Sequence, residues 1–293
     1  MKKILVLEII GVILIGSYLF TNIYHSSQTQ ISHVVGVEKT IQSKQGVSEE
    51  KKAQDVANSD VKYMKTISKV KSIEVEEEIE SSVLVGKIIS IDAGHQSHGN
   101  SAQEPIGPGS TKTKAKVSSG TRGVATGKYE YELNLEVALK LKKALVEKGM
   151  TVYMVRETNE VDISNKERAQ LANDVKADLS LRIHADGSEN SSVQGFSVLV
   201  PGGDFVSQEV SSQSYAIGEC MENALSKGIP NKSRGIVVRK DLSGFNWSTV
   251  PAVLLEMGFM SNAEEDQRMS TETFQNDLVE AIVEGLENYY KED

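Results

Sequence analysis

From Lys87 onward, apolar runs of strand length alternate with stretches whose apolar residues recur at helical spacing. Parallel strands need a crossover between them, so this alternation predicts an α/β domain with a largely parallel sheet. KIISIDAGH reads as the first strand and ends in a Gly-containing turn. Between Glu132 and Gly149, the positions Leu133, Val137, Leu141, Ala144 and Leu145 predict a helix that Gly149 stops. TVYMVR follows as a strand, and ISNKERAQLAND as a helix with Ser164 and Glu167 at capping-box spacing. In DLSLRIHAD, Leu179, Leu181 and Ile183 alternate with Ser180, Arg182 and His184, which puts Arg182 and His184 on one face. GFSVLVPGG reads as a strand, Val206 to Lys227 as a helix, and VPAVLLEMGF as a buried strand whose apolar run ends at Glu256. SNAEED, with Ser261 and Glu264 at capping-box spacing, opens another helical segment, and Phe274 to Tyr290 is helical.

The chain before Lys87 has a different character. Ile4 to Phe20 is almost wholly apolar, follows Lys2 and Lys3, and is interrupted only by Glu8. About 17 to 25 apolar residues cross a bilayer, and the lysines favour an amino terminus inside the cell, so residues 1–22 are expected to be an uncleaved membrane anchor. No small-x-small cleavage site follows Phe20 to favour a signal peptide. Residues 23–86 are polar, with IQSKQGVSEEKKAQDVANSD and EVEEEIE, and read as a linker holding an extracytoplasmic domain, 87–293, off the membrane. Its histidines, His25 and His33, have no metal-ligand partners nearby in the sequence. The single Cys220 forms no internal disulfide and reads as a small buried residue, so the domain must rely on its core. A formal charge of −9 argues against nucleic acid as a partner.

Between His95 and Glu130 lies QSHGNSAQEPIGPGSTKTKAKVSSGTRGVATGKY, which is rich in Gly, Ser and Thr and lacks apolar periodicity. A structureless loop of this length is uncommon in a compact domain and is usually functional or disordered; candidate ligands at both of its ends favour function. Its cations Lys112, Lys114, Lys116 and Arg122 either meet an anionic polymer or merely solvate the loop.

Four residues carry candidate chemistry: His95, Glu130, His184 and Glu256. Two imidazoles and a carboxylate can hold zinc with one position left for water, and a further carboxylate can move that water's proton. In open parallel sheets the site lies beyond the carboxyl ends of the strands, where His95, His184 and Glu256 fall. His98 rivals His95, which is favoured because it directly follows the Asp92-Ala93-Gly94 turn. Glu132 rivals Glu130, although an acid inside the first helical turn is common for dipole reasons alone. Glu256 ends an apolar run, where a carboxylate is costly unless it has a partner.

IDAGH, EYELNLEVALKL, NKERAQLAND, ADLSLRIHAD and PAVLLEMGFMSNAEED, in that order, resemble the zinc-dependent N-acetylmuramoyl-L-alanine amidases of the amidase type 3 group. The resemblance covers about Lys87 to Tyr290. It implies a six-stranded mixed sheet flanked by helices, His95, Glu130 and His184 as zinc ligands, and Glu256 as the catalytic carboxylate. It also implies hydrolysis of the amide between the lactyl group of N-acetylmuramic acid and L-alanine in peptidoglycan, the polymeric partner; the membrane is a partner through the N-terminal segment, and a monomer is expected. The chain departs from the family pattern with Gln96, Ser97 and His98 after the first histidine, in the loop that follows, and with Arg182 and Asp186 flanking His184. Arg182 is a candidate for a stem-peptide carboxylate or for pairing with Asp186, while Arg168 and Asn173 are expected to brace their helix against the sheet. With one clear helix and the connection RGIVVRKDLSGFNWST between Gly195 and Glu256, no plug over the site is expected and the domain is expected to act without an activator. A wall-binding protein without turnover and a metallopeptidase cutting within the stem peptide are the rival readings.

Overall fold

The computed structural model describes residues 82–292. These form one α/β domain around a six-stranded mixed sheet in the order β4-β1-β5-β8-β6-β7. The strands are β1 (Ile88–Ala93), β4 (Thr151–Met154), β5 (Leu179–Asp186), β6 (Phe196–Pro201), β7 (Ser233–Arg239) and β8 (Ala252–Phe259). β4, β1, β5 and β8 run parallel, whereas β6 lies antiparallel to β8 and parallel to β7. The helices are α1 (Glu130–Glu147), α2 (Asn165–Asp174), α3 (Gln208–Gly228), the single turn α4 (Ser243–Asn246), α5 (Ala263–Met269) and α6 (Glu272–Glu292).

The two faces of the sheet differ in chemistry. Ile89, Ile91, Leu181, Ile183, Val198, Val253 and Leu255 face a large core closed by α1, α3 and α6. The opposite face carries a smaller apolar cluster, Leu199, Phe245, Ala252 and Leu254. It is otherwise polar: the register aligns Asp92 with Arg182, and His184 with Glu256. Side chains aligned on neighbouring parallel strands project to the same side, so sequence alternation delivers a row of ionisable groups to this face.

The segment after His95 is folded, contrary to its reading as a structureless loop. β2 (Asn100–Pro105) and β3 (Thr113–Val117) form an antiparallel hairpin. Asn165 Nδ2 bonds the Lys116 carbonyl at 2.8 Å, Trp247 Nε1 bonds the Pro105 carbonyl at 2.9 Å, and the Lys166 N–H donates to Glu104. These bonds fasten the hairpin to α2 and α4.

The Ser164 capping box at α2 forms as expected. At α5 the cap is Asn262, whose side chain accepts from Glu264 and Glu265, while Ser261 Oγ accepts the Ser188 N–H instead. Between Gly195 and Glu256 the chain forms β6, α3, β7 and α4, and α4 buries Phe245 against Leu199 and Leu254. Among the described residues no helix is long and apolar enough to cross a membrane, and Ile4 to Phe20 lies outside them.

Candidate metal centre

Three elements converge at the carboxyl ends of β1 and β5. His95 lies two residues past β1, His184 sits within β5, and Glu130 is the first residue of α1. The His95 Nε2 and His184 Nδ1 atoms each lie 3.1 Å from Glu130 Oε1. Among the described residues these three are the histidine-carboxylate group whose donor atoms gather closely enough to hold a metal ion, all within 4.8 Å of one another. The rivals fall away: His98 is exposed and pairs with Glu160 at 3.8 Å, and the Glu132 carboxylate accepts the Tyr129 N–H at the start of α1.

Each member is held by neighbours. His95 has a left-handed backbone, φ 62°, rare outside glycine and costing about 1–2 kcal/mol. Arg168 Nη2 bonds the His95 carbonyl, and Arg156 bonds the carbonyls of Ala93, Gly94 and Tyr131, so the turn is over-determined. The His95 Nδ1 atom lies 2.9 Å from the Ser118 carbonyl and 3.0 Å from its hydroxyl, leaving Nε2 aimed at Glu130. Glu130 accepts from the Thr121 N–H at 2.9 Å, the Ala185 N–H at 3.2 Å and Asn134 Nδ2 at 3.3 Å.

The space around the three is tailored by absent side chains. A Cβ on Gly94 would overlap the His184 ring, and one on Gly120 would sit 2.6 Å from Glu130 Oε2 and 2.9 Å from the His95 ring. Gly120 also has φ +81°, which an L side chain rarely adopts.

Protonation suits the donors. Burial holds the His184 imidazole down at about 4 despite its bond to Glu130, so the ring is neutral, the form that ligates, at neutral pH. Burial raises Glu130, yet the bonds from His184 and His95 outweigh it and keep the carboxylate below its ordinary range. Two histidines and a glutamate form a donor set that fits a zinc-type ion. His184 Nε2 is buried with no partner in the protein.

Glu256 stands beside His184 on the adjacent strand, three residues before the end of β8. Burial pushes its carboxyl well above the ordinary range, reinforced by Glu130 and Asp186 and opposed by Arg182 and Arg239. Its Oε2 atom is buried without a hydrogen-bond partner.

Arg182 is not paired with Asp186. It is buried, 6% exposed, with Nε 2.9 Å from Asp92 Oδ2 and Nη2 3.0 Å from Asn165 Oδ1. Arg168 takes the other oxygen of Asp92 at 2.6 Å, so the guanidinium offered for a stem-peptide carboxylate is engaged within the fold. Asn173 bonds the Trp247 carbonyl and the Thr249 N–H, bracing α4 rather than the sheet.

Sequence reading missed Ser118, Asn134 and Arg156. Only Asn134 left a local signal, its position one helical turn after Glu130.

An α/β domain that gathers two histidines and a glutamate at the carboxyl ends of its central strands, with a second glutamate in register beside them, has the build of a metal-site hydrolase. A family model for N-acetylmuramoyl-L-alanine amidases matches residues 89–288; the chain belongs to that family and is an amidase. Relatives include the N-acetylmuramoyl-L-alanine amidase Rv3717 of Mycobacterium tuberculosis, 26% identical over 70% of this chain and 87% of that protein. The amidase LytC of Bacillus subtilis is also 26% identical, over 71% of this chain but 36% of its own length. Among solved structures, the amidase Ami1 of Mycobacterium smegmatis superposes with a TM-score of 0.64 at 26% identity, covering 72% of this chain and 99% of Ami1.

Proposed function

We propose that this chain is a zinc-dependent N-acetylmuramoyl-L-alanine amidase that cleaves the amide between the lactyl group of N-acetylmuramic acid and the L-alanine of the peptidoglycan stem peptide. The observation that carries the reading is the meeting of His95 Nε2, Glu130 Oε1 and His184 Nδ1, with Glu256 in register beside His184. Family membership and the relatives' names support the substrate.

His95, Glu130 and His184 would hold the ion. When bound, zinc supplies Lewis-acid polarisation of the scissile carbonyl and makes water more acidic. Ser118 keeps the His95 ring in the orientation that presents Nε2, and the Thr121 and Ala185 N–H groups fix Glu130. Glu256, in register beside His184, would take the proton of the attacking water and return it to the departing alanine amine.

The apolar Ile4–Phe20 behind Lys2 and Lys3 supports a membrane anchor with the domain outside the cell, acting as a monomer on the wall. With α4 packed into the fold by Phe245, the domain works without an activator.

The test compares zinc content and muropeptide hydrolysis of the full chain with Glu256→Ala. The variant is expected to bind zinc and lose hydrolysis, by about 10²–10⁴-fold. Loss of zinc with the substitution would make Glu256 a ligand and overturn the assignment of roles.

A further inference from the structure

The arginines closest to the triad are occupied: Arg156 by backbone carbonyls and Asn159, Arg168 and Arg182 by Asp92. Arg122, on the same rim, is not. It is exposed, and among the described residues it enters no ion pair. Its one hydrogen bond runs from Nε to the Gly127 carbonyl at 2.7 Å, which leaves both Nη atoms free of protein acceptors.

The side chain is nonetheless held in place. Its guanidinium lies 4.8 Å from the centre of the Tyr129 ring, which stacks in turn on Tyr131 at 5.2 Å. Residue 127 is a glycine with φ +72°, a backbone conformation that an L side chain rarely adopts, and it lies against Nη2. The supporting loop is fixed as well. Arg122 and Tyr129 form an antiparallel bridge, Val124 N–H bonds the Met260 carbonyl, and the buried Asp266 carboxylate accepts from the Ala125 and Thr126 N–H groups, each at 2.8 Å.

Arg122 lines a shallow, open cleft of about 510 Å³ with Thr121, Val124, Gly187, Ser188, Glu189 and Ser261. Its wall adjoins the triad, because the Thr121 N–H bonds Glu130 and Gly187 lies three residues beyond His184. A planar guanidinium with two free Nη atoms is shaped for a carboxylate, and prior immobilisation lowers the entropy lost when it binds. Glu189 also lines the cleft and disfavours an anion at its own carboxylate, which leaves Arg122 as the group that attracts one.

We infer that Arg122 is a specificity residue that binds a carboxylate of the stem peptide in this cleft, an assignment that rests on the amidase reading above. L-alanine has no side-chain acid and its own carboxyl is in a peptide bond, so the second residue is the nearest that can supply the group.

The experiment uses the full chain, with two synthetic muramoyl tripeptides that differ only in a second-residue carboxylate or carboxamide, and the two corresponding free tripeptides. Calorimetry gives the binding of the free peptides, and product release gives kcat/KM for the muramoyl forms. The wild type is expected to favour the acid over the amide by roughly tenfold to a hundredfold in both, the range of one charge-assisted bond. Arg122→Gln brings the two ligands to parity, and Arg122→Lys, which keeps the charge without the fork, recovers part of the preference. If Arg122→Gln does not fold, Arg122→Met, which keeps an aliphatic stem over Tyr129, supplies the same comparison. A wild type indifferent to the carboxylate, or a preference that survives in Arg122→Gln, overturns the inference. If the wild type selects the acid peptide but cuts neither muramoyl substrate, the amidase reading fails while the Arg122 site stands.

Discussion

Replacing Gly94 by alanine separates the shape of the site from its chemistry. The substitution keeps every hydrogen bond at this position: the N–H to the Ile183 carbonyl, and the carbonyl to Asn134 and Arg156. What it adds is one methyl, 2.6 Å from His184 Nδ1 and closer still to Cε1 and Nε2. Relief to an ordinary contact requires the ring to withdraw by about 1 Å, whereas metal-ligand distances tolerate about 0.2 Å. Zinc affinity in Gly94→Ala should therefore fall at least about a hundredfold, or about 3 kcal/mol. The overpacking itself costs about 1–3 kcal/mol, which for a domain of this size lowers the apo melting temperature by about 2–12 °C. Competition against a fluorescent chelator gives the first quantity and thermal unfolding of the apo protein the second. Zinc binding within threefold of wild type would show that the His184 ring has room to move, and the tailored-space argument would fail.

Three other outcomes follow from the charges. Asp92→Asn leaves two buried guanidiniums without their shared counter-ion and should cost about 3–5 kcal/mol, read by denaturant unfolding; a change below about 1 kcal/mol would mean that solvent reaches the pair. The apo domain should lose stability through His184 as pH falls from 6.5 toward about 4, because the unfolded chain takes up a proton there that the folded ring refuses; melting temperatures of wild type and His184→Gln across that window isolate the contribution, and parallel curves would contradict it. Glu256 works in the opposite sense. Its folded carboxyl ionises later than the unfolded one, so Glu256→Gln should raise the apo melting temperature at neutral pH, and a lower one would show that the carboxylate is stabilised in place.

The elements with strong apolar periodicity were legible before folding was considered. Leu179, Leu181 and Ile183 alternate because one face of β5 meets the main core, and the helix expected from Val206 to Lys227 appears at Gln208–Gly228. The hairpin was not legible. NSAQEP and TKAKV pair through backbone bonds on the surface and bury little, so neither shows a period of two in its apolar residues. β7 is an edge strand with Val237 and Val238 exposed, and it read as a connection for the same reason. The start of α1 was placed late because Tyr129 at its N-cap makes no side-chain bond to announce it.

At the site, His95, Glu130, His184 and Glu256 stood out as chemistry-bearing residues at strand and helix ends, and the fold brings the first three together. The partner of Arg182 was out of reach of local reasoning, since Asp92 lies 90 positions away. Ser118 meets His95 through a backbone carbonyl that any residue could present, with its hydroxyl beside it, and Gly94 and Gly120 matter for the atoms they lack.

The central claim is tested most directly by mass spectrometry of purified peptidoglycan digested with the zinc-loaded full chain. The account predicts intact stem peptides that begin with free L-alanine, together with glycan bearing the lactyl carboxyl. Peptides cut at an internal bond, with the muramoyl-alanine amide left whole, would contradict it.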